Sequence, residues 1–413
     1  MSYFMVSTNA DQRPGWSWSK VAALAGLGLV IAASLALLGC GDVFRPVANP
    51  QLKPGGDPAA VRLAIVVSQG APGQFGAATQ VNVSGDTNSG NFPLGHNPVY
   101  AAIFAARVWI ANQSDDSISF YSTSDVVGTQ ASSITLPAGS SPGFMTGAGL
   151  TLYVANSGNN TVSAISTPIS ALSATINVGS TPVALAATPG STKLYCVNKG
   201  SNNVSVISTA DFSQIGSPIA VGASPVWAVM RPDGAALYVV NQGSGTVSVI
   251  STSTDTVVAT LSVGTLPNNA VYDSSLQRLY VTNPGSNSIS VFNASAPVPT
   301  LLNTVTVGAA PVRVTALADG SRFYTANSGC SDIIDLQNCS GSTVSVVDAG
   351  SFQVRKTITV GTTPVWIDAA SDGTKVFVTN RDSNNISDIR TLDDTVVVTL
   401  ASGAPRPLFV VNQ

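Results

Sequence analysis

Glutamate and histidine are almost missing from this chain of 413 residues. No glutamate occurs, all 21 acidic residues are aspartate, and the one histidine is His96. Glutamate favours helices and aspartate favours turns, so the composition argues against helical domains. A single histidine excludes a multi-histidine metal or haem site. It leaves His96, which we expect in the turn before Pro98, as the only base for a Ser-His-Asp triad.

Charge is also sparse. Only 9% of the residues are charged, the formal net charge is −3, and the longest basic run is Arg355-Lys356. Nucleic-acid binding needs clustered lysine and arginine to neutralise phosphate, so we expect no nucleic-acid partner. We also expect no cofactor and no metal. Calcium ligation by the acidic pairs Asp115-Asp116 and Asp393-Asp394 remains open, beside their interpretation as solvated turn residues.

What the sequence does contain is a recurring phrase, an apolar strand that ends in asparagine. It is clearest at Ala236-Leu-Tyr-Val-Val-Asn241, which is followed by a glycine-rich turn and an alternating strand, Thr246 to Ser251. The asparagines that end the copies are Asn112, Asn156, Asn198, Asn241, Asn283, Asn327 and Asn380. Successive copies lie 42 to 44 residues apart, except for a last step of 53. A period of about 40–45 residues holding several short strands is typical of propeller blades.

Each period predicts four antiparallel strands, and no single blade can bury both of its faces, so the blades must stack in a ring. The prolines that begin the first strands are Pro98, Pro142, Pro182, Pro225, Pro267, Pro311 and Pro364, and an eighth such segment spans Pro405 to Val411. Residues 61–94 contain a degraded copy of the phrase and can supply the other three strands of that last blade. The prediction is an all-β propeller of eight blades, closed by pairing the two chain ends. Seven blades is the alternative if 61–94 pack otherwise.

The repeated phrase also resembles a known family. Tyr280-Val-Thr-Asn283 contains the Tyr-Val-Thr-Asn sequence, accompanied elsewhere by a Val-Gly-x-x-Pro spacer and an Asp-Gly turn. From Val61 to Gln413 the chain is similar to the YVTN-repeat β-propeller family. The resemblance implies a propeller, usually of seven blades, in a protein that is often exported or surface-associated in bacteria and archaea. It implies no single chemistry, although some propellers similar to this family are described as lactonases.

The first 60 residues predict export and tethering. Arg13 and Lys20 precede the uncharged run 21–38, so we interpret 1–39 as a signal peptide. Its ending, Leu37-Leu38-Gly39-Cys40, resembles a bacterial lipobox, which implies a lipid on Cys40; Gly41 favours the outer membrane by the same analogy. The alternative is an uncleaved membrane anchor of 18 residues. Residues 40–60 read as a flexible tether, and 61–413 as the propeller. We therefore expect a lipid-anchored protein of the bacterial cell envelope, on the periplasmic or cell-surface side.

The remaining cysteines separate into a buried thiol and a bridge. Cys196 lies inside a copy of the phrase, where a structural thiol is expected. Cys330 and Cys339 bracket an insertion that accounts for the step of 53. In an oxidising compartment a disulfide is expected there. The alternative role for this insertion is a recognition loop carrying Asp332 and Asp335.

One variable position suggests a binding site. The residues two positions after the first-strand prolines are Tyr100, Phe144, Ala184, Trp227, Asn269, Arg313, Trp366 and Phe409. Strand alternation puts these channel positions on the opposite face from the aliphatic residues one and three after proline. We expect Tyr100, Phe144, Trp227, Asn269, Arg313, Trp366 and Phe409 to line the rim of the central channel and bind a ligand. The alternative is that the aromatic side chains plug the channel or pack between blades.

The sequence thus favours a lipid-anchored, non-enzymatic binding or scaffold protein. Its expected partners are an envelope protein, a peptide or a carbohydrate, together with the membrane through the N-terminal lipid, and the chain is expected to be a monomer. A lactonase-like hydrolase is the rival function. It would depend on aspartate, and Asp368 is the only aspartate near the inner strands. A structural protein of the cell surface is the third hypothesis.

Overall fold

A computed structural model describes residues 63–83, 85–122, 131–332 and 337–412. The predicted signal segment 1–39, Cys40 and the tether 40–60 lie outside the described residues. None of the described helices is long and apolar enough to cross a membrane. Those helices are two short 3-10 turns, Gln113–Asp115 and Pro284–Ser286.

The described chain folds into eight four-stranded antiparallel sheets, so the prediction of an eight-bladed propeller is confirmed. We number the blades by the chain order of their first, innermost strands. Blade 1 contains Pro98–Phe104, Arg107–Asn112, Ser117–Ser122 and Ser132–Thr135, and blade 2 contains Pro142–Ala148, Thr151–Asn156, Thr161–Ser166 and Ala171–Asn177. Blade 3 contains Pro182–Ala187, Lys193–Asn198, Asn203–Ser208 and Ile219–Ala220, and blade 4 contains Pro225–Met230, Ala236–Asn241, Thr246–Ser251 and Thr256–Ser262. Blade 5 contains Asn269–Asp273, Arg278–Asn283, Ser288–Asn293 and Thr300–Thr306. Blade 6 contains Pro311–Ala316, Arg322–Asn327, Thr343–Asp348 and Val354–Thr359. Blade 7 contains Pro364–Ala369, Lys375–Asn380, Asn385–Arg390 and Thr395–Ala401.

Blade 8 joins the two ends of the described chain. Its first strand is the C-terminal segment Pro407–Asn412, and the other three strands are Leu63–Ser68, Phe75–Asn82 and Thr87–His96. Val67 pairs with Phe409 and Ile65 with Val411 across the junction. The predicted closure of the ring by pairing of the two ends of the described chain is therefore confirmed.

The core between blades is built from the aromatic residue of the repeated phrase. Three positions before each anchor asparagine stands a fully buried ring: Trp109, Tyr153, Tyr195, Tyr238, Tyr280, Tyr324 and Phe377. Burial of a side chain of this size contributes on the order of 1.5–3 kcal/mol. The outer strands are different, because their side chains alternate between half-buried and exposed, as in Thr256–Ser262. The blades thus adhere through their first three strands, and the outermost strands contribute least.

The anchor asparagine clamps the turn between the second and third strands. In blade 4 the side chain of Asn241 is buried, and its Nδ2 donates to Thr246 Oγ1 at 3.1 Å and to Ser248 Oγ at 2.9 Å. All seven anchor asparagines donate the same pair of bonds to the third strand. We call this set of asparagines and their partners the turn layer. It explains why asparagine recurs in the phrase, since buried polar groups must be hydrogen-bonded.

The spacer glycine lies directly on the anchor asparagine. A Cβ added to Gly222 would lie 2.7 Å from Asn241 Cγ, and one added to Gly264 would lie 2.6 Å from Asn283 Cβ. Such distances leave no room for any other residue. The glycine of the Val-Gly-x-x-Pro spacer is thus required by the turn layer.

The residue before each first-strand proline has a left-handed backbone. These eight residues have φ between 46° and 61°: Asn97, Ser141, Thr181, Ser224, Leu266, Ala310, Thr363 and Arg406. In seven blades a backbone N–H just after the anchor position bonds the carbonyl of this residue, as Gln242 bonds Ser224 at 3.0 Å. In blade 5 that position is Pro284, which has no N–H to donate. Seven blades, all except blade 5, then have a register shift just after the proline, as between Pro98 and Tyr100.

The insertion in blade 6 forms a small hairpin, Cys330–Asp332 paired with Gln337–Cys339. Cys330 and Cys339 face each other across it and form a disulfide, as predicted. Asp335, one of the two aspartates of the alternative recognition loop, lies outside the described residues. Cys196 is fully buried, as expected for a structural thiol, and burial raises the pKa of its thiol well above the usual range.

Candidate functional site

The eight channel positions converge because the first strands stand side by side around the axis. Their side chains do not form an open rim. Tyr100, Phe144, Trp227 and Phe409 are each at most 7% exposed. The structure thus places these four as a filling of the channel, which is the arrangement that the sequence left as the alternative.

These aromatic side chains form a continuous set of ring contacts. Tyr100 lies 4.5 Å from Phe144 and 4.5 Å from Phe409, measured between ring centroids. Trp366 lies 3.9 Å from Phe409 and 6.2 Å from Trp227, and Trp227 lies 5.3 Å from Phe144. We call these five residues, together with Arg313, the plug. Tilted and edge-on rings at these separations stabilise one another beyond their apolar burial.

Arg313 is the charged member of the plug. Its guanidinium carbon lies 4.9 Å from the centroid of Trp227 and 4.5 Å from that of Trp366. One guanidinium nitrogen donates to the carbonyl of Val312 at 3.0 Å, but Nε is buried and has no partner among the described residues. Burial lowers the pKa of Arg313 to about 10, so the group remains charged at neutral pH. Two indole faces therefore hold a cation that retains unused hydrogen-bonding capacity.

Asn269 has a different role from the aromatic members of the predicted rim. It is 2% exposed, and its Oδ1 accepts a bond from the backbone N–H of Val314 at 3.4 Å. The remaining channel position, Ala184, is fully buried. The ring of channel positions is therefore asymmetric: blades 1, 2, 4, 7 and 8 contribute aromatic rings, blade 6 contributes Arg313, and blades 3 and 5 contribute small side chains.

A hollow lies on each side of the plug. The mouth hollow, of about 300 Å³, opens where the first strands begin and is lined by plug side chains and by residues one after the prolines, such as Val99, Val226 and Leu408. Val99, Val226 and Leu408 are partly buried, and they pack against the core as well as lining this hollow. A smaller hollow of about 80 Å³ lies beyond the plug, with Thr315 and Asp368 on its wall. Arg313 and Trp366, the half-buried members of the plug, line both hollows.

The acidic pairs of the sequence have structural partners. Asp394 is 1% exposed, accepts bonds from Tyr324 Oη at 2.5 Å and Arg322 at 2.9 Å, and so links blade 6 to blade 7. Its neighbour Asp393 is bound by Arg390 and Thr395. Asp394 is therefore buried between blades and paired with Arg322, so its interpretation as a solvated turn residue is wrong.

The other pair is also engaged. Asp116 accepts bonds from the backbone N–H groups of Gly139 and Ser141, both at 2.7 Å. Asp115 binds His96, which ends a strand of blade 8 rather than standing in the turn after it. Within the described parts of the chain, no group of three or more His, Cys or Asp side chains could hold a metal ion.

Comparison with known proteins gives the fold alone. No family model matches the chain, and no curated protein matches it. Among solved structures, dihydro-haem d1 dehydrogenase NirN is 14% identical with a TM-score of 0.69, covering 91% of this chain and 80% of that one. Apo AztD from Citrobacter koseri is 10% identical with a TM-score of 0.62, covering 86% and 98%. Hydrazine synthase of Kuenenia stuttgartiensis is 19% identical with a TM-score of 0.56, covering 71% and 95%.

These neighbours are similar in architecture and include proteins named as enzymes, so the fold is compatible with catalysis as well as with binding. The Cys330–Cys339 disulfide indicates an oxidising, exported environment for the protein.

Proposed function

We propose that this protein is an exported, lipid-anchored propeller of the YVTN-repeat type that binds a carboxylate-bearing peptide or carbohydrate in the mouth hollow. The observation that carries the proposal is Arg313, a charged guanidinium held between two indole rings with its buried Nε unbonded. Burial of a charged guanidinium destabilises the folded state unless the charge has an ion partner or serves to bind a ligand. An anionic ligand is such a partner.

The mouth hollow favours a carboxylate over a larger or purely apolar group. Arginine presents a planar fork that matches a carboxylate. The rest of the lining is aliphatic, from residues such as Val226 and Leu408, with ring surface from the half-buried Trp366. A volume of about 300 Å³ lies at the lower end of the range for small-ligand sites. The fitting ligand is therefore the end of a chain, such as a peptide C-terminus or a terminal uronic acid.

Attachment to the membrane is a separate part of the proposal and rests on the sequence. The lipobox-like ending at Cys40 and the 20-residue stretch 41–60 would hold the ring near a bilayer while leaving it free to rotate. Metabolic labelling with a palmitate analogue tests it directly. Label should appear on the wild type and vanish in Cys40→Ala, whereas equal labelling of both would contradict the anchor.

Tryptophan fluorescence tests the ligand site. Replacing Trp16 and Trp18 by phenylalanine leaves Trp109, Trp227 and Trp366 in the full chain. We expect a short peptide with a free C-terminus to change the emission saturably. The same peptide with an amidated C-terminus should bind about 10- to 100-fold more weakly, because a charge-assisted bond is worth about 1.5–3 kcal/mol.

The control for this experiment uses a tryptophan outside the plug. Trp109→Phe should leave the titration in place, since Trp109 packs between blades and donates to Phe104 O at 2.9 Å. Trp366→Phe should diminish the signal, and Arg313→Met should abolish binding. Equal affinity for the free acid and the amide would sink the carboxylate site. Turnover of a sugar lactone that depends on Asp368 would instead establish the hydrolase.

A further inference from the structure

A third hollow lies where the two ends of the described chain meet, at the junction between blade 8 and blade 1. We call it the seam hollow; its volume is about 570 Å³. Four separate segments line it: the turn 69–74, His96 with Asn97, Ser114 with Asp115, and Arg406 before the last strand. This volume falls inside the range of small-molecule sites, and the lining brings polar groups from distant parts of the chain to one place.

The imidazole of His96 is held in a fixed orientation in this hollow. Its Nδ1 lies 2.8 Å from Asp115 Oδ1, while its backbone N–H donates to Asp115 Oδ2 at 2.6 Å. The ring of Phe75 lies against it at 4.1 Å between centroids. A carboxylate on Nδ1 selects the tautomer that leaves Nε2 as an acceptor. Within the described residues, no group bonds Nε2.

Arg406 contributes a guanidinium that forms no ion pair with the described residues, although, after the hydrogen bond from Arg381, its charge helps to lower the pKa of Asp382. Its backbone is fixed on both sides, because the N–H donates to Asn384 Oδ1 at 2.8 Å and the carbonyl accepts from the N–H of Gln69 at 3.1 Å. Its side chain is half-buried and makes no hydrogen bond or ion pair with the described parts of the chain. The neighbouring carboxylate, Asp382, is bound by Arg381 at 2.7 and 2.8 Å. Arg406 is therefore available to an anion from outside.

Gln69 contributes an acceptor. Its Nε2 donates to Asn97 Oδ1 at 2.6 Å, and Asn97 in turn donates to Gln113 Oε1 at 3.0 Å. This chain of amides orients Gln69 so that Oε1 is buried, yet no described residue donates to it. A buried acceptor without a donor costs about 1–3 kcal/mol, which a ligand hydroxyl would relieve.

We propose that the seam hollow is a binding site for a small hydroxylated carboxylate, of the sugar-acid class. The carboxylate pairs with Arg406, and hydroxyl groups donate to Gln69 Oε1 and to His96 Nε2. This site is separate from the mouth hollow, and its ligand contacts both ends of the chain at once.

The single histidine makes the site directly observable. Labelling the full chain with ¹⁵N-histidine gives one imidazole, that of His96. We expect D-galacturonate to shift the Nε2 resonance saturably. D-Galactose, which has a hydroxymethyl group in place of the carboxylate, should bind at least 10-fold more weakly. Inorganic phosphate, which offers the anion without the hydroxylated ring, should also bind at least 10-fold more weakly.

Variants separate this site from general anion binding. Arg406→Gln should weaken galacturonate by 10-fold or more, and Arg406→Lys by less, since lysine keeps the charge but loses the fork. Arg390→Gln, which removes a half-exposed arginine bound to Asp393, should change nothing. Arg313→Met should leave the His96 response intact, which distinguishes failure here from failure at the mouth hollow.

Three outcomes would overturn the proposal. The first is no saturable shift with galacturonate. The second is equal binding of galactose or phosphate, which would remove the requirement for an acid on a hydroxylated ring. The third is full affinity in both Arg406 variants.

Discussion

The turn layer and the channel positions are both repeated around the ring, but they are repeated in different ways. Seven of the eight anchor positions hold a buried asparagine with the same two bonds. The eight channel positions hold Tyr, Phe, Ala, Trp, Asn, Arg, Trp and Phe. The anchor position must make the same two local hydrogen bonds in each of these blades, so the same residue type recurs there. A position that faces a shared axis is constrained only by its neighbours across that axis, so it is free to build an asymmetric site.

The same contrast appears inside blade 8. Its anchor position is Ser68, and the adjoining glycine, Gly403, donates to Thr79 Oγ1 at 2.8 Å and lies against Asn91 of the outermost strand rather than against an anchor asparagine. The closing blade has thus lost the common clamp, and it is beside this blade that the seam hollow lies. Departures from the repeat therefore accompany both proposed sites.

The largest effect is expected from removing one anchor. Asn241→Ala should lower the free energy of unfolding by about 2–4 kcal/mol, because two buried bonds are lost and the hydroxyls of Thr246 and Ser248 lose their donor. Urea denaturation measures the change. The matched control is Asn269→Ala, a similarly buried asparagine at a channel position whose side chain accepts one long bond, of 3.4 Å, from the N–H of Val314. We expect about 1 kcal/mol there. Equal losses in the two variants would erase the distinction between the two regions.

A somewhat smaller effect is expected from the spacer glycine. In Gly222→Ala the new Cβ would lie 2.6 Å from Ser244 Oγ and 2.7 Å from Asn241 Cγ, so the turn layer must shift. Overpacking of this kind costs about 1–3 kcal/mol. Gly143 lines the mouth hollow, and a Cβ there would meet only Ala155 O at 3.9 Å. Thermal unfolding should therefore show Gly143→Ala within about 0.5 kcal/mol of the wild type. A larger loss for Gly143→Ala than for Gly222→Ala would contradict the packing argument.

The sequence predicted the fold because the turn layer repeats. Period, strand number, ring closure and the Cys330–Cys339 bond follow from local signals such as the anchor asparagine and the spacer glycine. The site was predicted only in part. The sequence identified Arg313, Trp227 and Trp366 as facing one axis, but it left open whether their rings form a rim or a plug. That choice depends on the width of the ring and on contacts between blades that are far apart in sequence.

The seam hollow was not predicted at all. Gln69, His96 and Arg406 come from opposite ends of the chain, and no local pattern brings them together. One signal was present, since Arg406 stands where six of the other blades have Ser, Thr, Ala or Leu. A charged residue at one copy of an otherwise uncharged repeat position is thus a useful indicator of function.

The smallest effect on stability, with the largest effect on binding, is expected from Arg313→Met. Methionine fills similar space between Trp227 and Trp366 without a charge, and replacing a buried charge by an apolar side chain is often neutral or stabilising. The free energy of unfolding should change by less than about 1 kcal/mol or increase, because the folded protein no longer desolvates a guanidinium. Binding of the free-acid peptide should be lost in the fluorescence titration. A loss of several kcal/mol in stability with binding retained would reverse the assignment, since Arg313 would then belong with the anchor asparagines as a structural residue rather than with the ligand.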